Sequence, residues 1–210
     1  MIQRFAALAA LLAALTLAPS VALTHEHMHH DAALDAPALL SDRSLYNLES
    51  KWTTQDGATV ALDSLKGQPV VTTMGYTTCK DICPAIVADM MWVEKHLPAA
   101  MAGRVRFAFF SIDPAVDTPA KLKAYADDHG LAPQSWTFFH GDDDAVRELA
   151  AALGIGYRAD GKGGFDHAAV ISLLNPKGEI VFQQRGVRAS SEDLLAKLVA
   201  LAADDGAAVR

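Results

Sequence analysis

The chain has 210 residues, 51% hydrophobic and 20% charged, an ordinary composition with length enough for one globular core. Its formal net charge is −7 and its basic residues form no cluster, which excludes nucleic acid as an expected partner. There are two cysteines in all, and they fall within one short stretch.

At the N-terminus, Arg4 precedes an unbroken Ala/Leu-rich apolar run, and Ser20-Val21-Ala22 resembles a small-residue cleavage site. The run is shorter than the ~20 apolar residues a spanning helix needs. Residues 1–22 are therefore expected to be a cleaved export signal, which places the domain in the periplasm. An uncleaved segment would instead anchor it to the inner membrane. With no cysteine near the cleavage region, a lipid-anchored form is not expected.

Residues 23–43 read as a His-rich segment and linker, beginning Thr24-His25-Glu26-His27-Met28-His29-His30-Asp31. Cleavage after Ala22 would give a mature chain starting Leu23-Thr24-His25. A free amine, two amides and that imidazole can wrap Cu(II) or Ni(II) in a square plane. The folded domain is expected over residues 44–205.

Residues 45–53 and 58–62 read as two strands around the hairpin signal Gln55-Asp56-Gly57. A buried strand over 70–74 then leads through a turn into an apolar-periodic helix ending near 97, before Pro98. A second buried strand over 105–112 completes a right-handed parallel βαβ unit. Asp117-Thr118-Pro119 starts the next helix, with Asp117 read as a capping residue and Pro119 at the first position. A short strand over 136–140 precedes a helix opened by Asp142-Asp143-Asp144. Asp160-Gly161-Lys162-Gly163-Gly164 reads as a loop. Strands over 168–174 and 179–184 flank the turn Asn175-Pro176-Lys177-Gly178, and Ser190-Ser191-Glu192-Asp193 caps a closing helix. This order predicts an α/β fold: a thioredoxin-like three-layer sandwich, with a central mixed sheet, helices on both faces and an N-terminal β-hairpin extension.

The chemistry is concentrated in Thr73-Met74-Gly75-Tyr76-Thr77-Thr78-Cys79-Lys80-Asp81-Ile82-Cys83-Pro84. A strand-turn-helix junction puts Cys79 and Cys83 near a helix N-terminus, where free N–H groups favour thiolate. A structural disulfide would close too short a loop to remove much unfolded-state entropy. The pair can instead act as a redox dithiol or share one soft metal ion.

Three residues separate the cysteines, one more than in the usual thioredoxin-like redox motif. Thr72 and Tyr76 occupy the positions where a peroxiredoxin carries Pro and Thr or Ser. Before the terminal hairpin, where a thioredoxin oxidoreductase carries a cis-proline, this chain has Asp166-His167. An imidazole there would complete a sulfur, sulfur, nitrogen site from Cys79, Cys83 and His167. Thiolates select Cu(I), and imidazole suits Cu(II) as well; zinc competes but lacks an evident fourth ligand. Lys80 reads either as a positive charge beside the thiols or as a solvated turn residue, Asp113 is a candidate for docking a basic partner, and Tyr76 and Phe165 read first as core residues and second as walls of the site. Trp52, Trp92 and Trp136 read as packing residues; His96, His129 and His140 are given no role.

Gly75-Tyr76-Thr77-Thr78-Cys79-Lys80-Asp81-Ile82-Cys83-Pro84, then Ser111-Ile112-Asp113-Pro114-Ala115-Val116-Asp117-Thr118-Pro119, then Asp166-His167, resemble the Sco/SenC proteins in order and interval. The resemblance covers residues 45–187. It implies a thioredoxin-like domain binding copper through Cys79, Cys83 and His167. It also implies a role in assembling the CuA centre of cytochrome c oxidase. Expected partners are the oxidase subunit carrying CuA, or another copper-accepting protein, and other periplasmic copper chaperones. Two activities remain open: a metallochaperone that delivers copper, and a thiol-disulfide reductase using Cys79 and Cys83 to keep an acceptor's cysteines reduced. Lys80 stands where the family usually has Pro, and Ala168 where it often has Ser.

Overall fold

The structure is a computed structural model that describes residues 40–187 and 191–207. The export signal, the histidine tract and the start Leu23-Thr24-His25 lie outside the described residues.

The elements, in chain order, are β1 (Lys51–Thr54), β2 (Thr59–Ala61), β3 (Val70–Gly75), α1 (Ile82–Lys95), β4 (Arg106–Ser111), α2 (Pro119–Asp128), β5 (Trp136–His140), α3 (Asp143–Leu153), β6 (Tyr157–Ala159), β7 (Phe165–His167), β8 (Val170–Leu174), β9 (Ile180–Arg185) and α4 (Ser191–Ala207). Seven strands form one mixed sheet in the order β2-β1-β5-β4-β3-β8-β9. Strands β3, β4 and β5 are parallel, while β8 and β9 add antiparallel on one side and β1 and β2 on the other. The N-terminal hairpin therefore continues the sheet, through Thr53↔His140 and Thr54↔Phe139.

Strand β3 is buried along its whole length, as its continuous apolar and threonine run requires of a central strand covered on both faces. Side chains alternate across the pleat. Met74 and Phe110 join Trp52, Tyr46 and the α3 residues Val146, Leu149 and Leu153 in one core. Val71, Phe107 and Phe109 join α1, α2 and α4 residues in the other. The sheet thus has α3 on one face and the other three helices on the opposite face.

Two expectations are corrected. Residues 45–53 are not one strand: Leu45–Asn47 is a 3₁₀ turn, and strand begins at Lys51. Ser44 accepts from the Tyr46 N–H, and the Tyr46 hydroxyl donates to Leu65 O at 3.2 Å, which turns this segment into the core. A short polar side chain competing for backbone bonds outweighed the strand-like pattern. Gly178, at φ +83°, lies under the Tyr46 ring, and a Cβ there would come within 2.6 Å of it.

The Gly-rich segment is not a plain loop but the turn of a separate two-stranded sheet, β6–β7. Asp160 Oδ1 accepts from Lys162 N at 2.7 Å and Gly164 N at 2.9 Å, closing the turn. The register pairs Tyr157 with His167 and Arg158 with Asp166. Strands of three residues are too short to show periodicity in the sequence.

Phe109, fully buried in β4, packs beneath the C-terminal end of β3. Replacing it with Ala should destabilise the domain by about 3–5 kcal/mol, read from urea unfolding midpoints.

Candidate metal centre

Strand β3 ends at Gly75, and the chain crosses from sheet to helix over Tyr76–Asp81. Cys79 N donates to Tyr76 O at 3.3 Å, tightening that crossing. Helix α1 starts at Ile82, so Cys83 lies in its first turn and Cys79 just ahead of it. Pro84 occupies the same first turn, where its missing N–H has no intrahelical partner to lose. The Cys83 N–H donates to Cys79 Sγ at 3.4 Å. Gly75 leaves the room these sulfurs use: a Cβ there would meet Cys83 Sγ and Phe109 Cζ, each at 3.0 Å.

The two thiols differ in exposure and in acidity. Both are free, Cys79 half-buried and Cys83 only 1% exposed. At Cys79 burial opposes ionisation, but hydrogen bonds from the Cys83 N–H, the Cys83 thiol and the Asp81 and Ile82 N–H groups outweigh it and hold the pKa below the ordinary thiol value. At Cys83 burial pushes the pKa far up, the charges of Cys79 and Asp117 add to it, and the Tyr76 N–H offsets only part. Lys80, given a charge role above, is exposed, and the groups that lower Cys79 are instead backbone amides and its partner thiol.

His167 ends β7, and its Nε2 lies 3.1 Å from Cys83 Sγ. Nδ1 donates to Ala168 O at 3.3 Å, which leaves Nε2 as the acceptor facing the Cys83 thiol. Burial lowers the His167 pKa, and Ala168 O partly restores it. The imidazole is therefore neutral at pH 7, with its lone pair turned to the sulfurs, as a ligand requires.

The donor atoms of Cys79, Cys83 and His167 all lie within 4.8 Å of one another, and no other such His/Cys/Asp/Glu group occurs among the described residues. Bonds of about 2.1–2.3 Å place the donors of a trigonal site about 3.5–4 Å apart. The three residues fit one soft ion after small side-chain adjustments. Three donors, with no fourth grouped with them among the described residues, suit copper better than closed tetrahedral zinc.

Asp117 departs from its expected role. Thr118, not Asp117, caps α2, accepting from Lys121 N. Asp117 is fully buried and turns back to accept from Thr77 N at 3.0 Å, from Ser111 Oγ at 2.6 Å and from the Thr77 hydroxyl. It ties the cysteine crossing to the end of β4. The available signal was polar Ser111, Asp113 and Asp117 following a buried strand beside the cysteines.

Asp113, a candidate docking group, is only 5% exposed. Its pKa is raised first by burial and then by the Asp117 charge. It does not offer a surface carboxylate. Tyr76 belongs to the core, with Phe165 packed against it, and both also border the site, Tyr76 lying edge-on to His167 at 5.9 Å between centroids. Trp52 and Trp136 are core, and Trp92 stacks on His96. His96 and His129 bond carbonyls of their own helices, and His140 Nδ1 donates to Asp117 O at 2.9 Å.

A mixed sheet with helices on both faces, a cysteine pair opening the first main helix and a histidine arriving ahead of the terminal hairpin define a thioredoxin-like domain with a sulfur-rich site. A sequence model of SCO1/SenC matches residues 41–203. The chain belongs to the SCO1/SenC family.

It is 32% identical over 142 residues to the SCO1 protein homolog of Bacillus subtilis, covering 66% of this chain and 73% of that one. Among solved structures it is similar to BsSco, a member of the Sco family of cytochrome c oxidase assembly proteins in which a disulfide switch was identified. That match has TM-score 0.63 and 28% identity, covering 72% of this chain and 90% of that one. It is also similar to Bradyrhizobium japonicum ScoI, solved with copper bound, at TM-score 0.59 and 27% identity, covering 72% of this chain and 96% of that one.

Iodoacetamide at neutral pH should alkylate Cys79 first, with a reaction midpoint below that of an ordinary thiol, and leave Cys83 largely unmodified until unfolding. Peptide mapping against time checks the order. Gly75→Ala should displace Cys83, and this should be read as faster alkylation of Cys83 in that variant.

Proposed function

We propose that this chain is a periplasmic copper-binding chaperone of cytochrome c oxidase assembly. It holds one copper ion between Cys79, Cys83 and His167 and yields it to a copper-accepting protein, such as the oxidase subunit that carries CuA. The observation that carries this reading is the convergence of two sulfurs and one imidazole nitrogen within 4.8 Å. The copper-bound Bradyrhizobium japonicum relative and the assembly role of the Sco family support the identity of the ion and its destination. Two thiolates and a neutral imidazole can hold both Cu(I) and Cu(II).

The residues divide the work. Cys83 and His167 are set in the protein and positioned by their neighbours. Cys79 is the more exposed of the two sulfurs, the one an acceptor's thiolate or imidazole can displace first. Stepwise replacement of one ligand at a time keeps the cargo coordinated throughout transfer. In the same reading residues 1–22 are the export signal, residues 23–43 the His-rich linker and residues 44–205 the working domain. No helix among the described residues is long and apolar enough to cross a membrane.

The unequal thiols favour a second activity at the same site. Cys79, the thiol with the lowered pKa, attacks one sulfur of an acceptor's disulfide in its thiolate form; the S–S bond breaks, and the other acceptor sulfur leaves as a thiolate that takes up a proton. Cys83 then loses its proton and attacks Cys79 in the mixed disulfide, expelling the second acceptor thiolate. The acceptor is reduced to a dithiol, and this chain is oxidised to the Cys79–Cys83 disulfide.

His167→Ala separates the two activities. Copper retention against a chelator should fall by orders of magnitude, while dithiol exchange with a small disulfide persists; unchanged retention would reject the three-ligand site. Because Cys83 keeps its proton at neutral pH, copper uptake must release it, so affinity should rise with pH by about tenfold per unit per proton released. His167 is already neutral there and adds no competing proton. Calorimetry in buffers of different ionisation enthalpy counts the protons.

A further inference from the structure

His167 reaches the sulfurs from a ribbon that the main sheet does not hold. Strands β6 and β7 form a separate two-stranded sheet with three residues in each strand. Such a ribbon is marginal on its own in water. Among the described residues, its hydrogen bonds to the cysteine-bearing segment are the Cys83–His167 contact and two made by one oxygen, the hydroxyl of Tyr76. That hydroxyl accepts from Phe165 N at 3.1 Å and donates to Phe165 O at 3.2 Å. Phe165 is two residues from His167 on the same strand.

The surroundings are arranged around this oxygen. Tyr76 is 7% exposed, and its ring meets Phe165 edge-on at 5.5 Å and His167 at 5.9 Å between centroids. A Cβ on Gly164 would come within 2.9 Å of the hydroxyl, so the glycine leaves the space it occupies. One oxygen therefore joins the segment at the end of β3 to the ribbon that carries the third donor.

We propose that Tyr76 is a positioning residue: its hydroxyl clamps the backbone of Phe165 and so keeps the His167 imidazole beside the sulfur pair before any ion is bound. This rests on the Cys79, Cys83, His167 reading and deepens it. Preorganising the third donor lowers the ordering cost paid when the ion arrives. Tyr76→Phe removes the oxygen and keeps the ring, and it tests the clamp cleanly. A comparison variant is Tyr46→Phe, which deletes another buried hydroxyl, the one bonded to Leu65 O, away from the site.

The first readout needs no metal. In the reduced protein, amide exchange at Phe165 should accelerate by about three- to tenfold in Tyr76→Phe, the factor expected for one lost hydrogen bond. It should stay unchanged in Tyr46→Phe. Gly164→Ala, which crowds the hydroxyl, should move it in the same direction. The second readout is copper release to a Cu(I) chelator, which should quicken in Tyr76→Phe by a similar factor. In a His167→Ala background the same substitution should add nothing.

Unchanged Phe165 exchange in Tyr76→Phe overturns the clamp. So does an equal effect on release with and without His167, because the hydroxyl would then act on the sulfurs alone. If the unmodified chain retains no copper, the functional reading fails by itself, and the exchange measurement still decides whether the clamp exists.

Discussion

A nitrogen 3.1 Å from a buried sulfur joins two parts of the chain 84 residues apart, and the organisation of the site follows from that contact. It requires an imidazole that is neutral and turned with Nε2 inward. Ala168 O secures the orientation by accepting from Nδ1, and burial secures the neutrality. It also requires a thiol that keeps its proton, and burial of Cys83 provides one. Each group is held in the protonation state that suits the other. The pair is stable without an ion and primed to exchange a proton for one.

The scaffold explains why the contact can be held so closely. Strand β3 runs through the middle of the sheet with parallel β4 on one side and antiparallel β8 on the other. Its C-terminal end is therefore a fixed point. The segment beyond it is a crossing rather than a regular element, and Asp117 ties that crossing down through three accepted hydrogen bonds. A buried carboxylate with several donors is a strong local anchor, because leaving any of those groups unpaired would be costly. The β6–β7 ribbon approaches from the other side, and its attachment is lighter. Rigidity is thus unequal across the site: the sulfurs sit on the sheet and helix, and the nitrogen sits on a short hairpin.

Legibility in the sequence follows the same division. The buried strands, the βαβ unit and the helices over 119–128 and 143–153 were readable because they are long and periodic. Cys79, Cys83 and His167 were readable as candidates because their residue types are rare in such positions and carry distinct chemistry. The bend at Leu45–Asn47 was hidden because its alternating apolar pattern resembles a strand, and only the Ser44 side chain and the fit over Gly178 decide otherwise. The β6–β7 pairing was hidden by brevity. Asp117 was misread because a carboxylate before Thr-Pro matches a helix start locally, whereas its partners lie 6 and 40 residues away. The hydroxyl of Tyr76 was invisible for the same reason: ring and oxygen do different jobs, and a sequence shows only that an aromatic residue stands there.

In the proposed function, metal holding and dithiol exchange would compete for the same two sulfurs, and both would require the Cys83 proton to leave. A disulfide needs the sulfurs about 2.05 Å apart, whereas a shared ion holds them nearly twice as far apart. No arrangement serves both uses at once. With its proton in place Cys83 is a poor nucleophile, and two reduced thiols close to a disulfide only when an oxidant takes up their two electrons. An arriving cation removes that proton by its charge and gains all three donors together. A mixed disulfide at Cys79 instead offers Cys83 an electrophile a few ångströms away, and the proton is lost to that reaction. Which path is taken depends on what first meets the exposed sulfur, and the imidazole, by holding the buried one in reserve, leaves both paths open.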